Sequence, residues 1–468
     1  PPTPSIFNGK TMTVTTAWVV QGMTIDSGSV VFENFTSRTQ GFTINQEAQV
    51  GRFGTSRGKL QLDNQDNAIT PSGGGSLQNY DWFNAVFKFK LQSTLGGSTL
   101  ESDVCFMVCT DIRFDDDGRR SFAVLTLADP FVYAARDQVT AISLSSPVYD
   151  SLDEIMLDIV NGYSSGGDTI TAVAFPRFAA AADSQMTIER GNNDITVASP
   201  ATDNQIGYTG KLQSLVSGSA RDYINNQVLP SGPSITFPAN VGTSGSGAST
   251  KFDFNAFYIN RKLTRETVGG NDKFKKFVFN ETGSAGVFPI MSASTQFNSS
   301  QVSNQATVQD QGGSGDAVIS NNTTSQQALG VRSVNYVNVV LPQTTPSQTA
   351  KTNVADWWTE RYNTVSFVTQ QITTTLGAIE PHIDTGSQNT NFTDLLSGDD
   401  CLWTYAEVTL TPTGAGSSKT YKCVIVGREI NATPQNTQIR FDLVSAIDNQ
   451  SLKLNNSDIG ILDTFRLG

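Results

Sequence analysis

Hydrophobic and polar residues alternate with a period of two along most of this chain, and that alternation predicts strands with one buried face. Over 51–91, Leu60 and Leu62 fall on one side of an extended run and Lys59, Gln61 and Asp63 on the other. Further on, Val86, Phe87, Phe89 and Leu91 interleave with Lys88 and Lys90. Between the two runs lie Asp63, Asn64, Asp66 and Asn67, whose side chains bond nearby backbone and tolerate left-handed geometry, so an ordered polar turn is expected. Pro71, Gly73, Gly74 and Gly75 extend it into a loop. Upstream, 11–20, 27–35 and 40–46 read as three strands separated by Gly22, Gly28 and Gly41. Downstream, 103–129 reads as a hairpin turning at Asp117-Gly118, with Val104, Phe106 and Val108 on one arm and Phe122, Val124, Leu125 and Leu127 on the other.

The period changes at 147–162. Ser151 and Glu154 form a capping box, Leu152, Ile155, Met156, Ile159 and Val160 make a helical stripe, and Gly162 closes it. A second amphipathic helix is expected over about 210–227, on Leu212, Leu215, Val216, Ala220, Tyr223 and Ile224. After a Gly/Ser loop at 242–249, residues 251–260 form a strand. Residues 291–352 are rich in Ser, Asn, Gln, Thr and Gly, and only 331–341 has strand character, so loops or an exposed insertion are expected there. Trp357, Trp358, Arg361 and Tyr362 sit on a short helix leading into another strand. The last third predicts a strand at 403–412 and two more around a Thr433-Pro434 turn.

The chain has 468 residues, enough for about three domains. Hydrophobic content is 38%, low for one compact enzyme, and charged content only 16%, with Ser, Thr, Asn, Gln and Gly making up the difference. That balance is common in β-rich extracellular or virion proteins. A net charge of −12 argues against a surface that grips nucleic acid, because phosphate binding needs clustered Lys and Arg. It suits a surface that nucleic acid slides past. No apolar run approaches the ~18 residues of a membrane span. The start, PPTPSIF, lacks the basic and apolar parts of a signal peptide, so synthesis and folding in a cytosol are expected. Cys105 and Cys109 would lie ~13 Å apart on one strand and cannot bridge. Cys401 and Cys423 could meet across strands, with buried thiols the expected state. One histidine and no C-x-x-C make a zinc site improbable, and the DDDG at 115–118 lacks the remaining ligands of a calcium loop. No metal and no cofactor is expected.

Three motifs look like chemistry. Gly162-Tyr-Ser164-Ser-Gly166 matches the nucleophile elbow, but that motif needs a strand before the serine and a helix after it. Here a helix is expected before it, and the only available base is His382. A loop ending the helix is the expected structure. Asp384-Thr385-Gly386 matches the aspartic-protease triplet, whose chemistry needs a second carboxylate, and there is no second copy. His382 reads as a surface loop residue. Trp357 and Trp358 could stack on a sugar, but adjacent helical residues point in different directions, so one buried and one at an interface is expected. No catalytic residue is assigned.

The turn and its neighbours also resemble a known family. Gly58, Leu60, Leu62, Asp63, Asn64, Asp66, Ile69 and Pro71 follow the pattern G-x-L-x-L-D-N-x-D-x-x-I/F-x-P, which looks like the N-terminal domain of tail hub (minor tail, baseplate-hub-like) proteins of long-tailed bacteriophages. In that family the position of Asn67 is usually Gly and that of Ile69 usually Phe. The phrase ending in Leu127, Ala128 and Asp129 is similar to the family's next hairpin. The Trp357-Trp358-x-x-Arg361-Tyr362 helix resembles its A-x-x-W-x-x-R-Y element, and the closing ILDTFRLG its L-D-T-Y-R-L. The likeness is strong over 51–138 and 353–468, weaker over 140–280 and absent over 291–350. It implies a mainly β fold with minor α (α+β). The implied domains are an N-terminal tube-like β-barrel at 1–140, an α+β middle domain at 141–285, a polar loop-rich segment with a connecting helix at 286–360, and a C-terminal tube-like β-barrel at 361–468.

The function it implies is structural. The chain would be a hub at the tip of a phage tail, assembled in the host cytoplasm. A homotrimeric ring would join the tail tube or distal tail protein to tail-tip or fibre proteins and surround the DNA channel, with DNA a partner only in passage. Three chains would present six similar barrels to a six-fold tube. The alternatives are a host-glycan adhesin using the 291–350 insertion and a tail-associated hydrolase.

Overall fold

The computed structural model describes 18–128 and 276–446 apart from short gaps. Outside those ranges it describes the strand pieces 5–7, 10–12, 138–142, 163–165, 168–170, 184–189, 208–211, 234–236, 241–244 and 251–259. The helix expected at 147–162, the Asp384-Thr385-Gly386 triplet and the closing ILDTFRLG lie outside the described residues; of the helix expected over about 210–227 only 210–211 are described, and they end a strand, Tyr208–Lys211. Most of the described chain is strand, as the alternation predicts.

The first seven strands of the main sheet are β1 (Trp18–Asp26), β2 (Ser29–Asn34), β3 (Thr39–Glu47), β4 (Ser56–Asp63), β5 (Val86–Leu95), β6 (Ser98–Asp116) and β7 (Ser121–Ala128). Alternation sets their buried faces: Phe42 and Ile44, Leu60 and Leu62, Phe87 and Phe89, and Ala123, Leu125 and Leu127 all point into one core. The first strand lies later than the sequence pattern places it. It begins at Trp18, while 10–12 pairs with 5–7 in a separate hairpin. β6 starts at Ser98, ahead of the expected hairpin, and serves two partners, β5 with its first half and β7 with its second.

The remaining strands of the sheet are β8 (Lys276–Asn280), β9 (Phe288–Pro289) and β10 (Ser292–Asn298), followed after an insertion by β14 (Ser366–Thr375), β15 (Tyr405–Leu410), β16 (Lys419–Ala432) and β17 (Thr437–Ser445). The insertion carries β11 (Gln305–Asp310), β12 (Val318–Asn321), helix α1 (Thr323–Leu329), β13 (Ser333–Val339) and helix α2 (Ser347–Arg361). Helices α3 (Leu376–Ile379) and α4 (Asn389–Leu396) fill the connection from β14 to β15.

Two expectations are corrected here. Residues 291–352 are not mainly loops: β10 joins the main sheet, and β12-β11-β13 make a sheet of their own with α2 packed on it. That small sheet has a core of Ala306, Val308 and Ala355, backed by Trp358 and Tyr362. It is polar in sequence because side-chain hydrogen bonds do much of the holding. Asn304, fully buried, donates to the Gly330 carbonyl (2.8 Å) and accepts from the Arg332 N–H (2.8 Å). Ser320 donates to Asp356 on α2 (2.6 Å), and Asn322 caps α1 through the Ser325 N–H (3.0 Å). The second correction is that the C-terminal strands recruit 276–298, with β8 alongside β15 and β10 alongside β14.

The seven strands of each half have the same order. Counted in chain order within its own half, each half reads 2-1-5-6-7-4-3: β2-β1-β5-β6-β7-β4-β3 in the first and β9-β8-β15-β16-β17-β14-β10 in the second. In both, the run 5-6-7-4-3 is antiparallel throughout. Each places one extra residue between strands 6 and 7, at Thr110 in the first and Val426 in the second. The halves differ at strand 1, which is antiparallel to strand 5 in the first and parallel in the second.

Candidate functional site: the joint between the two halves

Strand 4 of each half ends in a side-chain cap. In the first half this is the D-N-x-D turn. Asp63 Oδ1 accepts from the Gln65 N–H (3.0 Å), Asp66 Oδ1 from the Ala68 N–H (3.1 Å) and Asn64 Oδ1 from the Ile69 N–H (2.9 Å), while Asn64 Nδ2 donates to Thr70 Oγ1 (2.8 Å). Asn64 is fully buried, so these bonds replace the water it loses. Asn67 takes φ 53°, the conformation for which glycine is the commoner choice. Arg38 clamps the turn by a two-pronged pair with Asp66, at 2.9 and 2.7 Å. That hydrogen-bonded guanidinium holds the Asp66 carboxyl down at about 2 and raises Arg38 in turn. In the second half the equivalent position is Thr375, which caps α3 through the Ala378 N–H (3.2 Å).

The halves meet edge to edge. β16 pairs with β15 through 419–424. Once β15 has ended, residues 427–432 take β3 on the same side, opposing Gly427 to Glu47, Arg428 to Gln46 and Ala432 to Phe42. The sheet therefore runs unbroken from one half into the other, and a single hydrophobic core contains residues of both. Gly41 lies against this joint; a Cβ there would come within 2.7 Å of the Ala432 carbonyl oxygen.

Arg428 is fully buried at the joint. Its guanidinium donates to the carbonyls of Leu396 (2.6 Å), Ser397 (3.1 Å) and Leu395 (3.3 Å) at the end of α4, and to the Val104 carbonyl on β6 (3.1 Å). Gln46 Oε1 accepts from both Nε and Nη2. The last carbonyls of a helix have no partner within it and carry partial negative charge, so a buried cation there is solvated by the fold. One side chain thus ties together β16, β3, β6 and the end of α4. Sequence reading missed it: Arg428 stands in an alternating strand beside Glu429, and nothing local marks it as buried.

Charges on the outer face of β5 and β6 are paired across strands. Lys88 meets Asp103 (2.9 Å) and Lys90 meets Glu101 (3.1 Å), which lowers the Glu101 carboxyl below its usual range. In the second half Arg440 meets Glu429 (2.6 Å) and Asp442 (3.5 Å).

Ser164 lies in the middle of a short strand, Tyr163–Ser165, hairpinned with Asp168–Ile170, rather than in the helix-ending loop expected or on a strand-to-helix elbow. His382 is half-buried; its ring packs on Gly283, whose Cβ would come within 2.6 Å of it. Trp358 stacks on Tyr362 at 5.0 Å in the core of the inserted sheet, so it is a packing residue there. The four cysteines are buried thiols, and burial pushes Cys109 and Cys423 up to about 12. Among the described residues no three His, Cys, Asp or Glu side chains converge on a metal site, and no helix is long and apolar enough to cross a membrane.

No family model matches this chain, and no curated protein matches it in sequence. Solved structures resemble it in three dimensions. A tail protein from Neisseria meningitidis MC58 is 9% identical with a TM-score of 0.47, over 91% of this chain and 96% of that one. The 43 kDa tail protein of prophage MuSo2 from Shewanella oneidensis is 11% identical with a TM-score of 0.47, over 92% and 98%. The c3393 protein of E. coli, a type VI secretion component described as structurally similar to T4 tail proteins gp27 and gp5, is 10% identical with a TM-score of 0.38, over 88% and 74%.

Proposed function

We propose that this chain is a non-catalytic structural protein of a bacteriophage tail, the hub at its tip. Three copies form a ring that joins the tail tube to distal tip or fibre proteins and surrounds the DNA channel. The observation that carries the reading is the repeated strand order 2-1-5-6-7-4-3 in one chain, joined through a continuous sheet. A ring that must face a six-fold tube needs six equivalent units, and a chain holding two copies of one unit supplies them as a trimer. Each half is then one tube-like barrel domain, with the remainder of the chain outside the ring.

The charge distribution supports passage rather than binding of DNA. The chain carries −12 overall, and the lysines on the β5–β6 face are engaged with carboxylates instead of being held for phosphates. The test is the sedimentation mass of the purified chain, alone and mixed with its tail tube protein. A species of three 50.3 kDa chains is expected. A chain that stays single in the presence of the tube protein, or hydrolyses peptidoglycan, overturns the reading.

A further inference from the structure

The joint inside the chain is a contact of strand 3 of one half with the far half of strand 6 of the other, and both of its components exist a second time. β6 is strand 6 of the first half. It pairs with β5 only as far as Val108 and with β7 from there to Asp116. Among the described residues no strand lies on the other side of 111–116, the place that β3 occupies on β16. β10 is strand 3 of the second half, and among the described residues it pairs with β14 alone. Residues 291–295 are exposed, Met291 by 63%, and Phe114 on the matching stretch of β6 is 40% exposed. Edge strands of stable proteins are blunted by charge or proline; β10 reads SASTQFN and has neither.

We propose that β10 of one copy adds, antiparallel, to residues 111–116 of a second copy, repeating between chains the joint that β3 and β16 make within one. This rests on the ring reading above and names its contact surface. Aligning the extra residues Thr110 and Val426 sets Arg113 in the place of Glu429. Following the ladders outward through β4 and β14 sets Thr295 in the place of Asn45, and Asn45 stands directly opposite Glu429. Thr295 of one copy therefore faces Arg113 of the next. By the same alignment Gln296 takes the place of Gln46, but Ile112 takes that of Arg428, so the contact between chains lacks the buried guanidinium. It is the weaker of the two joints, suited to an assembly step. The contact is heterologous, and such contacts close into rings when the rotation divides the circle.

The test is the double variant Arg113→Cys/Thr295→Cys, oxidised in the presence of tail tube protein, with each single variant alongside. Directly opposed residues on antiparallel strands stand about 4.5–5.5 Å apart, within disulfide reach, and the four native thiols are buried. The expected result is covalent oligomers that close at the mass of the ring, from the double variant only. A Thr295→Pro chain of unchanged melting temperature should associate at least tenfold more weakly. A ring of three chains with no disulfide and no effect of the proline overturns this edge and leaves the ring standing. Single chains throughout overturn both.

Discussion

Arg428 makes the sharpest claim at the scale of one residue. Its hydrogens satisfy buried carbonyls at the end of α4 and on β6, and removing the donor leaves those acceptors unpaired. Arg428→Met is therefore expected to cost about 3 kcal/mol or more, read as a lower urea midpoint. Lys in its place could reach fewer acceptors and recover only part of the loss. The D-N-x-D turn gives a second test. Asn67 holds a left-handed φ, so Asn67→Val should cost about 1–2 kcal/mol, whereas Asn67→Gly should be close to neutral. A third concerns pH. The folded Asp66 titrates at about 2, below the ordinary carboxylate value. Its pair with Arg38 thus contributes stability that is complete above the unfolded value near 4 and is lost as pH falls toward 2. Wild type and Asp66→Asn should converge in stability as the pH drops through that window, as measured by denaturation at a series of pH values. Asp66 is half exposed, so the contribution is small.

At the scale of the element, the joint depends on close approach of β3 to β16. Gly41→Ala puts a Cβ against the Ala432 carbonyl, a backbone atom that cannot swing aside. A loss of about 1–3 kcal/mol is expected, with proteolysis increasing first in the connections around β3. Most strands were legible because each carries its own alternation; the pairs Leu60/Leu62 and Phe87/Phe89 name their buried face without help. The ordered turn was legible because Asp, Asn and Gly each have a local reason to be there. The β11–β13 sheet was not, because its own strands put only Ala306 and Val308 into the buried core, beside Ala355 of α2, and its cohesion comes from Asn304 and Ser320, whose partners are remote in sequence. Arg428 was hidden for the same reason: Gln46 lies 382 residues away.

For the whole molecule, the repeat of strand order is the central feature, and the sequence conceals it. Several equivalent buried positions share apolar character but not identity: Leu60 answers to Ile372, Leu125 to Phe441 and Ala123 to Ile439. Strand pairing constrains which face a residue takes, not which apolar residue fills it. The connections differ more, since the link from strand 3 to strand 4 spans 48–55 in the first half and holds the whole β11–α2 insertion in the second. In the proposed ring, such a chain would offer two similar faces to a symmetric partner and carry different attachments outside. The most direct test is electron microscopy of the chain assembled on its tail tube protein, with class averages viewed down the axis. Three-fold particles with six similar lobes around a central channel are the predicted result; a closed two-fold particle, or three lobes with no internal repeat, would contradict the account.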